Sequence, residues 1–334
     1  MTQAYRPLPK GRPARIAVLD DYMAVAPKLA DWQRLAVRAE VTFLTDAIPA
    51  EDLAQRLSGF DVICLLRERT AIPAELLRAL PGLRAIIATG RVNRTLDYAA
   101  AADLGIAVMT TSGSGRGVFA TVELAWGLIL SLMRHIPLES AAMAQGQWQT
   151  RLGNALYGRT LGLAGLGKLG SRMAGVGRAF GMEVLAWSPN LTPERAAAGG
   201  AVLADKETLL RQSDVVSLHL VLGPTTRGVI DRHALSLMRP DALLINTARG
   251  PLVDEPALVE ALRTGRLRGA GIDVYDTEPL PAAHPLRQLP NALLTPHLGY
   301  SVAETFETFY RETVENLESW LDGAPIRLAE HDQR

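Results

Sequence analysis

The chain has a single cysteine in 334 residues, Cys64, and no surplus of charge, with 35 basic and 35 acidic side chains. One thiol excludes an internal disulfide framework and a cysteine-based zinc site, and it suits a reducing cytoplasm, the expected location. Within the apolar run VICLL it reads as core filler rather than as a nucleophile. Balanced charge removes the bulk attraction that would recruit nucleic acid or an anionic membrane, so neither is expected as a partner. No stretch reaches the ~18 uncharged apolar residues of a membrane helix. VFATVELAWGLILSLM comes nearest, and Glu123 interrupts it. The amino-terminal MTQAYRPLPKGRPARIAVLD starts basic, but its apolar run IAVL is too short for a secretory signal. There is no solenoid-length repeat, no low-complexity segment and no H-E-x-x-H or histidine pair, so no metal site is expected. His135, His219, His233, His284 and His331 read as surface or capping residues.

What is present is an apolar content of 48% and a length that exceeds one comfortable core, which together predict two globular domains. RIAVLD, VTFL, DVICLL, RAIIAT and IAVM read as strands separated by helical segments such as PAELLRAL. A second series follows Trp148: TLGLAG, MEVLAW, VVSLHL, ALLINT, AGIDV and ALLTP. This alternation predicts two α/β domains with parallel sheets and covering helices. A long apolar helix over about 118–146, bent near Pro137, is expected to connect them. A last amphipathic helix is expected within SVAETFETFYRETVENLESWL.

LGLAGLGKLG, residues 161–170, fits two nucleotide motifs. From Gly162 it reads G-x-x-x-x-G-K, but a P-loop needs Ser or Thr next to hold magnesium, and Leu169 stands there. From Gly165 it reads G-x-G-x-x-G, after a predicted strand and opening a predicted helix. Gly165 would allow the tight turn, Gly167 the approach of a pyrophosphate, and Gly170 close packing of helix on strand. Backbone N–H groups at the helix start would receive the phosphate charge. At the end of the next strand, where NAD enzymes place an acid for the ribose, MEVLAWSPN offers Ser188. No carboxylate is there to repel a 2′-phosphate and no arginine follows at once; Arg195 is the first basic residue. The choice between NAD and NADP stays open.

Three polar segments follow strands of the second series, where ligands bind in open α/β sheets. TARGPLVDE carries Arg249 and Asp254, AGIDVYDTEPLP carries Asp273 and Glu278, and HLGYS carries His297. A cation, a carboxylate and an imidazole at such ends form a set suited to a hydroxy or keto acid. Taken singly, each has a plainer reading: a surface ion pair for Arg249, a turn acid for Glu278, a loop residue for His297.

GLGKLG, NTARGPLVDE, GAGIDVYDTEP and TPHLG, in this order and spacing, resemble the D-isomer-specific 2-hydroxyacid dehydrogenase family. The likeness extends to RVNRTLD at 91–97 and ATVELAWGLIL at 120–130. It implies two Rossmann-like, doubly wound domains with a cleft between them. Residues 1–108 plus 299–334 would bind substrate, and 109–298 would bind the dinucleotide. It implies His297 as acid/base, Glu278 as its partner and Arg249 as the carboxylate anchor. Asp273 would face the nicotinamide, and Lys168 and Leu169 would lie at the pyrophosphate. Thr247, Ala248, Leu298, Gly299 and Tyr300 would line the cofactor site, and backbone near Arg91 and Val92 would donate to substrate. This chain departs from the family at Ser188, where many members carry Asp, and in TGRVNRTLD, which lacks the second glycine of the common G-x-G-V-D-N-I-D loop.

The implied activity is hydride transfer between a nicotinamide cofactor and a small D-2-hydroxy or 2-keto acid, in a homodimer. Protonated His297 would deliver the proton, and ionised Glu278 beside it would favour imidazolium. The alternative is a nicotinamide-sensing binding protein of the corepressor type, against which the full Arg249, Glu278 and His297 set argues. Formate enzymes of this fold usually carry Gln where this chain has Glu278. A C-terminal regulatory domain of the kind found in allosteric phosphoglycerate dehydrogenases is not expected, since the chain stops about ten residues after its last helix.

Overall fold

A computed structural model describes residues 6, 8, 11–113 and 115–329. It falls into two compact units, Met1–Val118 with Val302–Arg334 and Phe119–Ser301. His331 lies outside the described residues.

The first unit holds a parallel sheet of β1 (Ala14–Val18), β2 (Ala39–Phe43), β3 (Val62–Leu65), β4 (Ala85–Ala88) and β5 (Ala107–Thr110), in the order β2-β1-β3-β4-β5. β3 and β4 are buried at every position, so their sequences read as unbroken apolar runs rather than as alternation. On one face Ala17, Leu19, Ile63, Leu65, Ile86 and Ala88 meet helices that include Leu57, Leu77 and Ala101. The helix Ala303–Leu321 returns to this unit and packs against β4 and the turn Trp32–Leu35. Its buried Phe306, Phe309, Tyr310, Val314, Leu317 and Trp320 recur at three- and four-residue spacing, which makes one apolar stripe. Beyond it, the Thr110 N–H donates to Arg327 O and the Ala329 N–H to Val108 O, so the following segment covers the edge of β5.

The second unit holds β6 (Thr160–Ala164), β7 (Glu183–Trp187), β8 (Val202–Leu203), β9 (Val215–Leu218), β10 (Leu243–Asn246), β11 (Gly269–Ile272) and β12 (Ala292–Leu294), all parallel, in the order β12-β11-β10-β9-β6-β7-β8. Successive residues of β10 serve opposite faces. Leu243 and Ile245 join the core under Ala120–Arg134 and Lys168–Ala179, while Leu244 joins that of Ala257, Leu258 and Leu262. The strand order reverses between β6 and β9, the switch point at which open α/β sheets bind dinucleotides.

The expected single helix over 118–146 is two helices, Ala120–Arg134 and Ile136–Ala144, with His135 between them in the left-handed conformation (φ 53°). Pro137 has no N–H to return to Met133, whose carbonyl instead accepts the Asn154 N–H at 2.8 Å. The first of the two is not a connector. Its Val122, Ala125, Trp126, Leu128, Ile129 and Met133 belong to the core of the second unit. Among the described residues, no helix is long and apolar enough to cross a membrane.

Candidate active site

The glycine turn sits at the β6–β9 switch point, and each glycine has its own constraint. Gly165 has φ 103°, and a Cβ there would lie 2.6 Å from the backbone carbonyl of His219, just past β9. A Cβ on Gly170 would overlap the Gly165 carbonyl, so the helix Lys168–Ala179 packs directly on the turn. Gly167 is exposed, caps that helix without a side-chain hydrogen bond, and would point a Cβ into open space. The backbone there is accessible and carries unpaired helix-start N–H groups, which fits an approaching pyrophosphate. Lys168 is exposed, with its ammonium 6.0 Å from the Phe119 ring centroid, and Leu169 is half-buried. Beneath the turn His219 pairs with Ser217 Oγ through Nε2 at 2.9 Å, and burial pushes its imidazole down to about 4. It is therefore neutral near pH 7 and puts no charge under a phosphate site.

On the neighbouring strand the Gly165 N–H donates to Trp187 O at 2.8 Å, which sets the half-buried Ser188 next to the turn. At the end of β10, Asn246 is fully buried and ties the following loop to itself. Its Oδ1 accepts the Ala248 N–H at 3.1 Å and its Nδ2 donates to Arg249 O at 2.9 Å. Thr247 is buried, and its Oγ1 has no hydrogen-bond partner. An orphaned buried hydroxyl is costly unless something meets it, and a bound cofactor would. Arg249 is half-buried, donates from Nη1 to Ala248 O at 2.6 Å, and acts electrostatically on Glu278.

β11 and β12 supply the remaining residues. His297 Nδ1 lies 2.6 Å from Glu278 Oε2. An ionised carboxylate only accepts, so Nδ1–H is the donor and Nε2 is left for other partners. Both side chains are mostly shielded, His297 20% and Glu278 28% exposed. Burial works against the Glu278 anion, yet the His297 hydrogen bond and charge, the Tyr275 N–H and the Arg249 charge hold its carboxyl below the usual range.

His297 itself has φ 55°, a left-handed backbone that costs a residue with a Cβ ~1–2 kcal/mol. Asp273 holds it there. Its backbone carbonyl accepts the His297 N–H at 2.8 Å; its carboxylate accepts Thr295 Oγ1 at 2.6 Å, the Leu298 N–H at 2.7 Å and the Gly299 N–H at 2.9 Å. Burial keeps this fully buried carboxyl above its ordinary range against those hydrogen bonds. Asp273 thus faces the loop it organises. From the other side Thr121 Oγ1 donates to Gly299 O at 2.7 Å, and the Tyr300 ring stands edge-on to His297 at 5.6 Å. The one proton of the Tyr275 hydroxyl is shared between the carbonyls of Ile272 and Thr295, at 3.0 and 2.9 Å, which ties the ends of β11 and β12 together. Gly250 is forced by contact, since a Cβ would overlap the Tyr275 carbonyl.

The structure therefore brings Glu278 and His297 into direct contact and places Arg249 within electrostatic reach of Glu278. Arg91 and Val92 belong to the first unit, on the loop after β4. There Gly90 has φ 87°, its N–H donates to Thr111 Oγ1 at 2.7 Å, and Arg91 Nε donates to Ser112 O at 2.9 Å. Asn246, Thr295, Tyr275 and Thr121 were not legible as site residues; only Asn246, at a strand end before the quoted TARG, carried a local signal. Among the described residues, no group of three or more His, Cys, Asp or Glu side chains is placed to hold a metal.

A parallel sheet of dinucleotide-binding order, with a glycine turn at its switch point and an imidazole–carboxylate pair at its carboxyl edge, defines a dinucleotide-binding α/β protein. The family comparison narrows this. The sequence model for the NAD-binding domain of D-isomer specific 2-hydroxyacid dehydrogenases matches residues 126–299. A glyoxylate reductase of Aeropyrum pernix is 36% identical over 285 residues, covering 82% of this chain and 84% of that protein. A D-3-phosphoglycerate dehydrogenase of Synechocystis sp. is 36% identical over 272 residues, 81% of this chain and 48% of that protein. The chain spans about half the length of the curated phosphoglycerate dehydrogenases it matches. A solved phosphoglycerate oxidoreductase from Vibrio cholerae superimposes with a TM-score of 0.86 at 38% identity, over 93% of this chain and 100% of that one. The chain belongs to the D-isomer-specific 2-hydroxyacid dehydrogenase family and carries its NAD-binding domain.

Proposed function

We propose that the protein is an NAD(P)-dependent D-2-hydroxyacid dehydrogenase acting on a small 2-hydroxy or 2-keto acid. The observation that carries the reading is the 2.6 Å contact of His297 Nδ1 with Glu278, at the carboxyl edge of a dinucleotide-binding sheet that also presents Arg249. Relatives named glyoxylate reductase and D-3-phosphoglycerate dehydrogenase support the substrate class.

In the direction of reduction, Arg249 receives the substrate carboxylate or the carbonyl oxygen with its forked donors. His297, with Nδ1 committed to Glu278, gives a proton from Nε2 to the carbonyl oxygen; in oxidation it takes that proton back. Glu278 stabilises the charged ring and fixes its orientation. Gly165, Gly167, Lys168, Leu169, Gly170, Ser188, Thr247, Ala248, Leu298, Gly299 and Tyr300 hold the cofactor, which when bound supplies or accepts the hydride. Asp273 positions the loop that bears His297, and its nicotinamide-facing role rests on the family resemblance. Backbone near Arg91 and Val92, in the first unit, is a further substrate contact, and that unit is the substrate-binding domain.

Solvent-exposed Ile136, Leu138, Met143, Trp148, Leu152 and Tyr157 support a homodimer, because monomers rarely leave so much apolar surface in one segment. A cytoplasmic location rests on the lone buried thiol. The test is a panel of glyoxylate, hydroxypyruvate and pyruvate, each with NADH and with NADPH. Turnover of at least one supports the reading, and none with either cofactor sinks it.

A further inference from the structure

The loop after β7 has a charge arrangement that the proposed reaction does not use. Ser188 follows a strand whose last carbonyl accepts the Gly165 N–H, so this loop flanks the glycine turn. The Leu191 N–H donates to Ser188 O at 3.2 Å and closes residues 188–191 into a turn whose Pro189 and Asn190 are exposed. From Trp187 to Pro193 there is no acidic side chain. The first basic residue, Arg195, folds back onto this turn, its Nη1 donating to Asn190 O at 3.0 Å. Only one of its five N–H donors is used in that contact. The carboxylate next in sequence, Glu194, is engaged by its own N–H and the Thr192 hydroxyl at the start of the helix Pro193–Ala198.

In a dinucleotide fold this loop meets the adenosine ribose. A carboxylate here accepts from the 2′- and 3′-hydroxyls of NAD and repels a 2′-phosphate, whereas an arginine nearby accommodates that phosphate. Here the repelling group is absent, a small hydroxyl takes its place, and a guanidinium already lies on the turn. We infer that the site selects NADP(H) over NAD(H), with Ser188 leaving room for the 2′-phosphate and Arg195 pairing with it. The inference rests on the dehydrogenase reading for the existence of the site, but it concerns cofactor affinity alone.

Dissociation constants for NADPH and NADH, measured by fluorescence titration of the full chain without substrate, test it. NADPH should bind about tenfold more tightly or better, the scale of one charge-assisted hydrogen bond. Arg195→Met should remove most of that preference by weakening NADPH and leaving NADH unchanged. Ser188→Asp should weaken NADPH further and strengthen NADH. Arg195 is exposed, so Arg195→Met is expected to fold, and retained NADH affinity verifies it. NADH binding as tightly as NADPH in the wild type, or Arg195→Met weakening both cofactors equally, overturns the inference and leaves the dehydrogenase reading intact. Failure of both cofactors to bind overturns both.

Discussion

At the scale of single residues, His297 is one of the described positions that depart from local backbone preference. It occupies a left-handed backbone without being glycine, and Asp273, through one carbonyl and one carboxylate, takes up N–H groups of three consecutive residues to keep it there. Strain over-determined in this way is typical of functional loops. Glu278 stays ionised down to below the usual carboxylate range, so its charge is constant near neutrality. The anionic partner of His297 is therefore kept through mildly acidic pH, and reduction should fail on the acidic side only below the ordinary glutamate range. Glu278→Gln removes that carboxylate and should lower kcat while cofactor affinity is kept. A kcat profile against pH for both forms tests this, and an acidic limb unchanged by the substitution argues against the pairing. The Glu278 carboxyl is lower in the folded state than in the unfolded chain, so its pairing contributes stability above the ordinary glutamate value. That contribution is lost as pH falls through the lowered value. Arg249, Glu278 and His297 were legible because their segments follow strands in a recognisable order. Thr121 and Thr295 were not, because their roles come from contacts with Gly299 and Asp273, far along the chain.

At the scale of elements, the β6 turn separates folding from binding glycine by glycine. Gly170→Ala forces a methyl into the Gly165 carbonyl and should destabilise by about 1–3 kcal/mol, read as a lower Tm. Gly167→Ala meets nothing and should lower Tm by at most about 4 °C. It should nevertheless weaken dinucleotide binding about tenfold or more, because a methyl would stand where the pyrophosphate approaches. Unchanged affinity in Gly167→Ala would remove the phosphate from this turn. Eleven of the strands among the described residues coincide with apolar runs; β3, β4, β9, β10 and β11 are buried at every position and, as parallel strands covered on both faces, need no alternation. β8 had no such signal: it is two exposed residues, Val202 and Leu203, at the sheet edge. The break falls at His135, two residues before Pro137, because a proline's effect falls on the turn before it.

At the scale of the whole molecule, residues 302–334 belong with residues 1–118, although 183 residues separate those segments. Six large side chains of the helix Ala303–Leu321 are buried there. At about 1.5–3 kcal/mol each, their combined loss is comparable with the ~5–15 kcal/mol that hold an ordinary domain together. Truncation after Ser301 should therefore unfold the first unit while the second, which has its own core on both sheet faces, keeps its dinucleotide affinity. Limited proteolysis with cofactor titration reads both, and resistance of the first unit would contradict the packing.

The proposed reaction turns on proton transfer from His297 to a bound 2-keto acid. The most direct measurement compares wild type and His297→Ala in glyoxylate and hydroxypyruvate reduction, with cofactor affinity determined alongside. A loss of about 10²–10⁴ in kcat with cofactor affinity retained is the expected result. A variant that reduces either acid at the wild-type rate would contradict it.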